Sequence, residues 1–208
     1  NTLSPDLKNR TIFNLETSER TKFYFVPIER KGTSFKDFDK YQKKAALKLL
    51  RASLSKKGYN KSEKIRQLEK VLLKIEIPRL VFKGKEIIRD YLDYHFWLFG
   101  VPSKDSLWGW KFEGHHVSFN FTIKNNKILS STPSFLGANP AVVNIEGFKK
   151  LQVLKSEMNL GSRLVSSFSI KQNKTAQFSK NAPIDIITKN NFKAQKISPL
   201  GINYNELN

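Results

Sequence analysis

Cysteine is missing altogether from this 208-residue chain, which excludes disulfides, thiolate catalysis and cysteine-ligated zinc or iron–sulfur centres. Any bound metal, a divalent ion being the natural case, would have to use nitrogen and oxygen ligands. Acidic residues are scarce: 18 Asp and Glu face 37 Lys and Arg, a formal net charge of +19. A field of that sign favours nucleic acid, anionic lipid or polysaccharide partners. Lysine outnumbers arginine and asparagine is abundant, so a Lys/Asn composition bias produces the same excess without any partner. The shortage of arginine forks beside stacking aromatics argues against nucleic acid.

Long apolar runs are also lacking, so no segment reads as a transmembrane helix. The opening NTLSPDLKNR has no basic-then-apolar-then-small pattern of a signal peptide, which predicts a cytosolic chain or one written in processed form. There is no phosphate-cradling glycine loop, no G-x-S-x-G, no H-E-x-x-H and no dinucleotide fingerprint, so the common hydrolase, kinase and dehydrogenase readings have no support. Sequons at Asn9, Asn60, Asn120 and Asn173 are no evidence of glycosylation in a chain this rich in Asn, Ser and Thr. What is present in quantity is core material, 39% hydrophobic and 12% aromatic, enough for a globular domain.

Capping patterns and periodicity place the elements. Ser4 before Pro5 predicts a short helix, followed by an extended TKFYFVPI. Asp39 with Gln42 predicts a capping box opening a helix that buries Phe38, Tyr41, Ala45, Leu49 and Ala52 and stops at Gly58. Asn60 with Glu63 predicts the next start, with Ile65, Leu68, Leu72 and Ile75 as the apolar stripe running to Pro78. The period then changes. RDYLDYHFWLFG and HHVSFNFTI alternate, and KNNKILSS offers an Asn-Asn turn, so residues about 90–131 read as an antiparallel meander. TPSFLGANPAVV reads as a loop. FKKLQVLKSEMNLGSRLVSSF reads as a helix weakened by Gly161, Ser169 with Gln172 as another cap, and the segment from Pro183 onward has no clear period. The expectation is one α+β domain over residues 1–208, with a central antiparallel meander flanked by helices from both ends of the chain.

Chemistry concentrates in WGWKFEGHHVSFNF. Strand alternation puts Glu113, His115, Val117, Phe119 and Phe121 on one face, which makes Glu113 and His115 the natural carboxylate–imidazole pair. His116 joins them only if the chain bends at Gly114, and His95 on the preceding strand is a possible third ligand whose register is open. A hydrogen-bonded core histidine explains the same residues. Trp108-Gly-Trp110 reads as packing, or as a ring-stacking platform if exposed. Separately, Lys40, Lys44, Lys48 and Arg51 run along one side of the predicted helix with Lys43 beside them, and no acid occurs between Asp39 and Glu63. That surface suits an anionic polymer or an envelope partner protein.

FGVPS, WGWKFEGHHVSFNFTI, TPSFLGANPA and SFSIKQNKTA, in that order, resemble the domain of unknown function 3500 family, and so do the upstream ERTKFYFVPIERKG and YQKKAALKLLRASLSKKGY. The resemblance covers nearly the whole chain. Trp110, Glu113, Gly114, His115, His116, Asn120, Pro133, Phe135, Gly137, Asn139 and Pro140 occupy its motif positions, which implies a shared site without implying a reaction. It implies an exported protein (periplasmic, surface lipoprotein or secreted) of unassigned activity. It also implies a longer chain with a further His-rich segment that could complete a metal site, so this is either the N-terminal portion of such a protein or a short member. The leading expectation is an exported protein with a metal site at Glu113, His115 and His116, or a ligand site that adds Trp110, Asn120, Phe135 and Asn139. The competing expectation is a non-enzymatic envelope protein that binds a polyanion or a partner protein through Lys40, Lys43, Lys44, Lys48 and Arg51.

Overall fold

Capping side chains decide where the helices begin. The computed structural model describes residues 2–76, 81–82, 84–198 and 201–207. Ser4 Oγ accepts from Leu7 N at 3.3 Å and starts α1 (Pro5–Thr11). Asp39 Oδ1 accepts from Tyr41 N and Gln42 N at 2.8 Å each, while Gln42 Oε1 accepts from Asp39 N at 2.9 Å. This is the expected capping box, and it opens α2 (Lys40–Ser53). The break after α2 comes earlier than Gly58. Leu54 turns extended, and Ser55 starts α3 (Lys56–Ile75) by accepting from Gly58 N at 3.1 Å. The cap expected at Asn60 is corrected accordingly: Ser55 satisfies a first-turn N–H sooner, and Gly58 is absorbed into that turn.

The buried face of α2 is rotated by one residue from the predicted one. Gln42 and Leu50 are buried, Ala46, Leu47 and Leu49 pack on the same core, and Tyr41 is left 78% exposed. Gln42 tolerates burial because its amide is satisfied, Nε2 donating to Thr2 O at 2.9 Å in addition to the capping contact. On α3 the predicted stripe holds at Ile65, Leu68 and Leu72, whereas Ile75 is exposed.

β5 (His95–Phe99), β6 (Trp108–Gly114), β7 (Val117–Lys124) and β8 (Lys127–Ser130) run consecutively and antiparallel, which is the expected meander. Asn125 and Asn126 turn β7 into β8 at φ of 52° and 57°, the left-handed region that asparagine tolerates best among residues with a side chain. β1 (Ile12–Phe13) and β2 (Thr33–Ser34) share the outer edge of β5, the first parallel and the second antiparallel. β9 (Ser134–Leu136), within the segment predicted as loop, pairs with β7. The result is a seven-stranded, mostly antiparallel sheet, beside which β3 (Val81–Phe82) and β4 (Lys85–Glu86) form a separate ribbon. The fold is α+β.

Residues 1–153 form one compact unit that holds the sheet and α1 to α3; residues 154–208 form another, with α4 (Lys155–Ser166) and α5 (Ile170–Ala176). α5 opens on the expected Ser169–Gln172 capping box. Among the described residues of the second unit none is buried, and none of the described helices is long and apolar enough to cross a membrane.

The two faces of the sheet are unlike. One carries Phe96, Trp110, Phe112, Val117, Phe119 and Phe121, and forms the core with Leu7, Phe35, Phe38, Leu50 and Ile65. The opposite face carries Lys111, Glu113, Ser118 and Asn120, polar yet buried. The segment 14–32, between β1 and β2 and irregular apart from a 3-10 turn at Ser18–Arg20, lies over it as a strap. Arg20 from the strap donates to Thr122 Oγ1 at 3.2 Å, and Lys111 Nζ donates to Glu19 O at 3.1 Å and Lys22 O at 3.2 Å.

Candidate functional site at the histidine hairpin

The segment expected as one strand through Glu113-Gly-His-His-Val is a hairpin. Gly114 ends β6 and pairs with Val117 at the start of β7, so His115 and His116 are the two turn residues. His116 adopts φ of 59°. Two turn residues break the parity that plain alternation would carry through, so Glu113 shares its face with Ser118 and Asn120 rather than with Val117 and Phe119. The chain reverses at the two histidines themselves, one residue beyond Gly114, where a bend is the condition for His116 to join His115. Glycine is required at position 114 because a Cβ would stand 2.3 Å from the Tyr94 ring. Burial pushes the Tyr94 phenol well above its usual range, and its hydroxyl donates to His115 O at 2.7 Å, fastening the turn.

Glu113, 1% exposed, is the centre of the buried polar face. Its Oε2 accepts from Tyr24 N at 3.1 Å and Ser118 Oγ at 3.0 Å, and its Oε1 accepts from Arg30 Nε at 3.2 Å. The Arg30 side chain, 3% exposed, also donates to Ile28 O at 3.1 Å, Tyr24 O at 3.0 Å and Val26 O at 2.7 Å. A buried ion pair is tolerable only when the remaining donors and lone pairs are satisfied, and here the strap's own carbonyls do that. Next to it Lys111, 1% exposed, lies 4.1 Å from the Trp97 ring centroid. Burial draws its pKa below the usual lysine value, against the opposing pull of Glu113 and Glu19. His95 is in register with Glu113, but its Nε2 lies 3.3 Å from Asp93 Oδ1.

His115 belongs to a different cluster. Its Nδ1 is 2.5 Å from Glu69 Oε1 on α3 and 3.2 Å from Arg89 Nη1. Both contacts cannot be hydrogen bonds at once, since a protonated Nδ1 donates to the carboxylate and has no lone pair left for the guanidinium. The shorter contact to a buried carboxylate fixes the proton on Nδ1. Arg89 then acts as a neighbouring cation, 3.8 Å from Glu69 Oε2 and held bidentately by Glu76 at 2.7 and 2.8 Å. With the proton on Nδ1, Nε2 is the nitrogen of the neutral ring that can accept a proton or a hydrogen bond.

His116 packs against His115 with ring centroids 4.0 Å apart and edge-on to Phe135 at 6.4 Å. Burial first, then His115 and Arg89, lower its pKa from 6.5 to about 4. The folded state therefore takes up the proton less readily than the unfolded chain. This contribution to stability is in full force above 6.5 and is lost as pH falls toward 4. In a ring-proton NMR titration His116 should stay flat between about pH 5 and 8. A midpoint near the ordinary imidazole value would show that the ring is solvated and its stacking wrong.

The other motif residues divide. Asn120 donates to Ser118 Oγ at 3.3 Å and Pro133 O at 3.1 Å, tying β7 to the loop 133–140. Phe135 stacks on Phe25 with centroids 4.8 Å apart, and Gly137 N donates to His116 O at 2.8 Å, so this loop does close over the turn. Gly137 is needed there for proximity and not for a positive φ: a Cβ would meet His116 Cγ at 3.1 Å and Phe135 Cε1 at 3.2 Å. Trp110 is 1% exposed in the core, stacked on Phe121 at 4.7 Å, and Asn139 is exposed. Among the described residues no group of three or more His, Asp or Glu side chains could hold a metal ion. Lys40, Lys44, Lys48 and Arg51 are exposed along α2, with Lys43 half-buried.

Glu69, Arg89, Arg30 and Lys111 escaped the sequence reading. The signals were present: Arg66 and Glu69 interrupt the α3 stripe among Ile65, Leu68 and Leu72, and Lys111 and Glu113 alternate inside an aromatic strand. Charges in such positions either face solvent or form a buried network. The sequence model of the family described as "Protein of unknown function (DUF3500)" matches residues 1–208, the whole chain, and the chain belongs to that family. No curated protein and no solved structure matches.

Proposed function

For this DUF3500 protein we propose an exported ligand-binding role, with the site at the His115–His116 turn and the Glu69–His115 pair presenting Nε2 as an acceptor to a hydroxyl-bearing ligand. The observation that carries the reading is the 2.5 Å contact between His115 Nδ1 and Glu69 Oε1. A carboxylate that accepts a hydrogen bond from Nδ1–H orients the ring and makes the other nitrogen a better acceptor. Tyr94 fixes the backbone of the turn, and the neutral His116 with Phe135 supplies an apolar flank. Export is supported by the family resemblance alone. A ligand is favoured over a metal because Glu113 has both oxygens committed to protein donors and Glu69 is already shared between His115 and Arg89.

The test is a binding screen by NMR, using a mixture of monosaccharides, polyols and phenols on ring-labelled protein. Shifts are expected at His115, His116 and Phe135 and should disappear in His115→Gln. Hits that map elsewhere, or none at all, would leave Glu69 and His115 as a clamp between α3 and the hairpin and overturn the proposal. A stoichiometric metal in protein purified without an affinity tag would overturn it in favour of a metal centre.

A further inference from the structure

The exposed side of α2 is a continuous cationic face. At 100° per residue Lys40, Lys44, Lys48 and Arg51 fall within about a quarter of the helix circumference, opposite Gln42, Ala46 and Leu50, over a length of about 16 Å. Exposed Lys56 and Lys57 continue the run at the start of α3, and no acid occurs from residue 40 to 62. Several other cations of the same unit do find acids. Arg10 meets Asp37 at 2.7 Å, Lys36 meets Asp93 at 3.1 Å and Asp90 at 3.4 Å, and Arg89 meets Glu76 at 2.7 Å. Among the described residues Lys40, Lys43, Lys44 and Lys48 have no acid within ion-pair distance, so the α2 row is left without counter-charge. Like charges at i,i+4 cost a helix about 0.2–0.5 kcal/mol per pair, a repulsion that a bound polyanion would relieve.

We infer that this face binds an anionic polysaccharide. A bilayer is the poorer occupant, because a helix that lies in a membrane interface needs an apolar side to bury, and the exposed side of α2 offers only Tyr41. Nucleic acid is the poorer occupant as well. Lysines present point charges without the forked geometry that reads phosphates in pairs, and the one arginine in the row lies over its own neighbour, Arg51 Cζ 4.8 Å from the Tyr59 ring centroid. A flexible chain of carboxylate and sulfate groups needs only the charge density that is there.

The test compares the full chain on immobilised heparin, on a DNA duplex and on vesicles of phosphatidylglycerol with phosphatidylcholine. Heparin should bind most tightly, with an affinity that falls linearly on a log–log plot against salt. K44E/K48E should lose about tenfold or more at low salt, while K149E/K150E, which removes the same charge from exposed positions elsewhere in the unit, should lose much less. Equal losses in the two double variants would mean that only net charge matters, and tighter binding to duplex or vesicles would show that the occupant is wrong. Either result overturns the inference, and neither bears on the hairpin site. Unchanged circular dichroism of K44E/K48E is expected, since both positions are exposed.

Discussion

Glu113→Gln is expected to destabilise the first unit by about 3–5 kcal/mol, although the new side chain has nearly the same volume. Glutamine can still accept from Ser118 Oγ and Tyr24 N, so what is removed is the charge facing Arg30, whose side chain is 3% exposed. The guanidinium would remain among the carbonyls of Tyr24, Val26 and Ile28 with no counter-ion in a medium that screens poorly. Urea unfolding followed by tryptophan fluorescence reads this directly, because Trp97 and Trp110 are buried on opposite faces of the sheet beside it. Combining Glu113→Leu with Arg30→Met should cost less than the sum of the two single changes, as expected when two charges justify each other. A Glu113→Gln cost below about 1 kcal/mol would place the pair in contact with water and remove the strap from the core.

Gly114→Ala should be nearly as harmful for a wholly different reason. The added methyl would lie 2.3 Å from Tyr94 Cδ1 and 2.6 Å from Cε1, and that ring is buried, stacked on Phe112 at 5.8 Å and pinned by its hydroxyl to His115 O. Overpacking of this kind costs about 1–3 kcal/mol, and more where neither partner can move. Tyr94→Leu removes the obstructing ring, so the double variant Gly114→Ala with Tyr94→Leu should be more stable than additivity of the single variants allows. Gly137→Ala is the internal comparison: its nearest clashes, at 3.1 and 3.2 Å, are with side chains that can give a little, and a smaller loss is expected. Equal losses at the two glycines would mean that the Tyr94 contact is not the reason for glycine at position 114.

What was legible in the sequence was local. Ser4 with Pro5, Asp39 with Gln42, and Ser169 with Gln172 each announce a helix start because the side chain and the N–H it serves are within three residues. The meander was legible from alternation, and the β7–β8 turn from Asn125-Asn126, residues that accept a positive φ. The β6–β7 turn was not, because His-His carries no such signal and the flanking residues alternate on both sides of it as one strand would. That single missed turn placed Glu113 on the apolar face beside His115. The partners that settle the chemistry were beyond sequence reasoning for another reason. Glu69 is 46 residues and Arg89 26 residues from His115, and the strap residues that receive Lys111 and Glu113 show no period. Packing of α3 against β7 and β9 brings Glu69 to the turn, and the strap reaches Lys111 and Glu113 only because it lies over the polar face of the sheet. The rotated face of α2 has a similar origin: periodicity counted Tyr41 as core because it is aromatic, whereas Gln42 goes inside because both ends of its amide are hydrogen-bonded.

The most direct measurement on the hairpin is the tautomer of His115, from long-range proton–nitrogen NMR on ring-labelled protein. Nδ1 is expected to carry the proton of the neutral ring, held by Glu69 Oε1, and Nε2 to be the bare nitrogen. In Glu69→Gln that preference should weaken or vanish, since a carboxamide holds the Nδ1 proton less strongly than a carboxylate. If Nδ1 proves to be the bare nitrogen, then Arg89 and not Glu69 is the hydrogen-bond partner of His115, Nε2 carries the proton, and the proposed ligand site at the turn has no acceptor to offer.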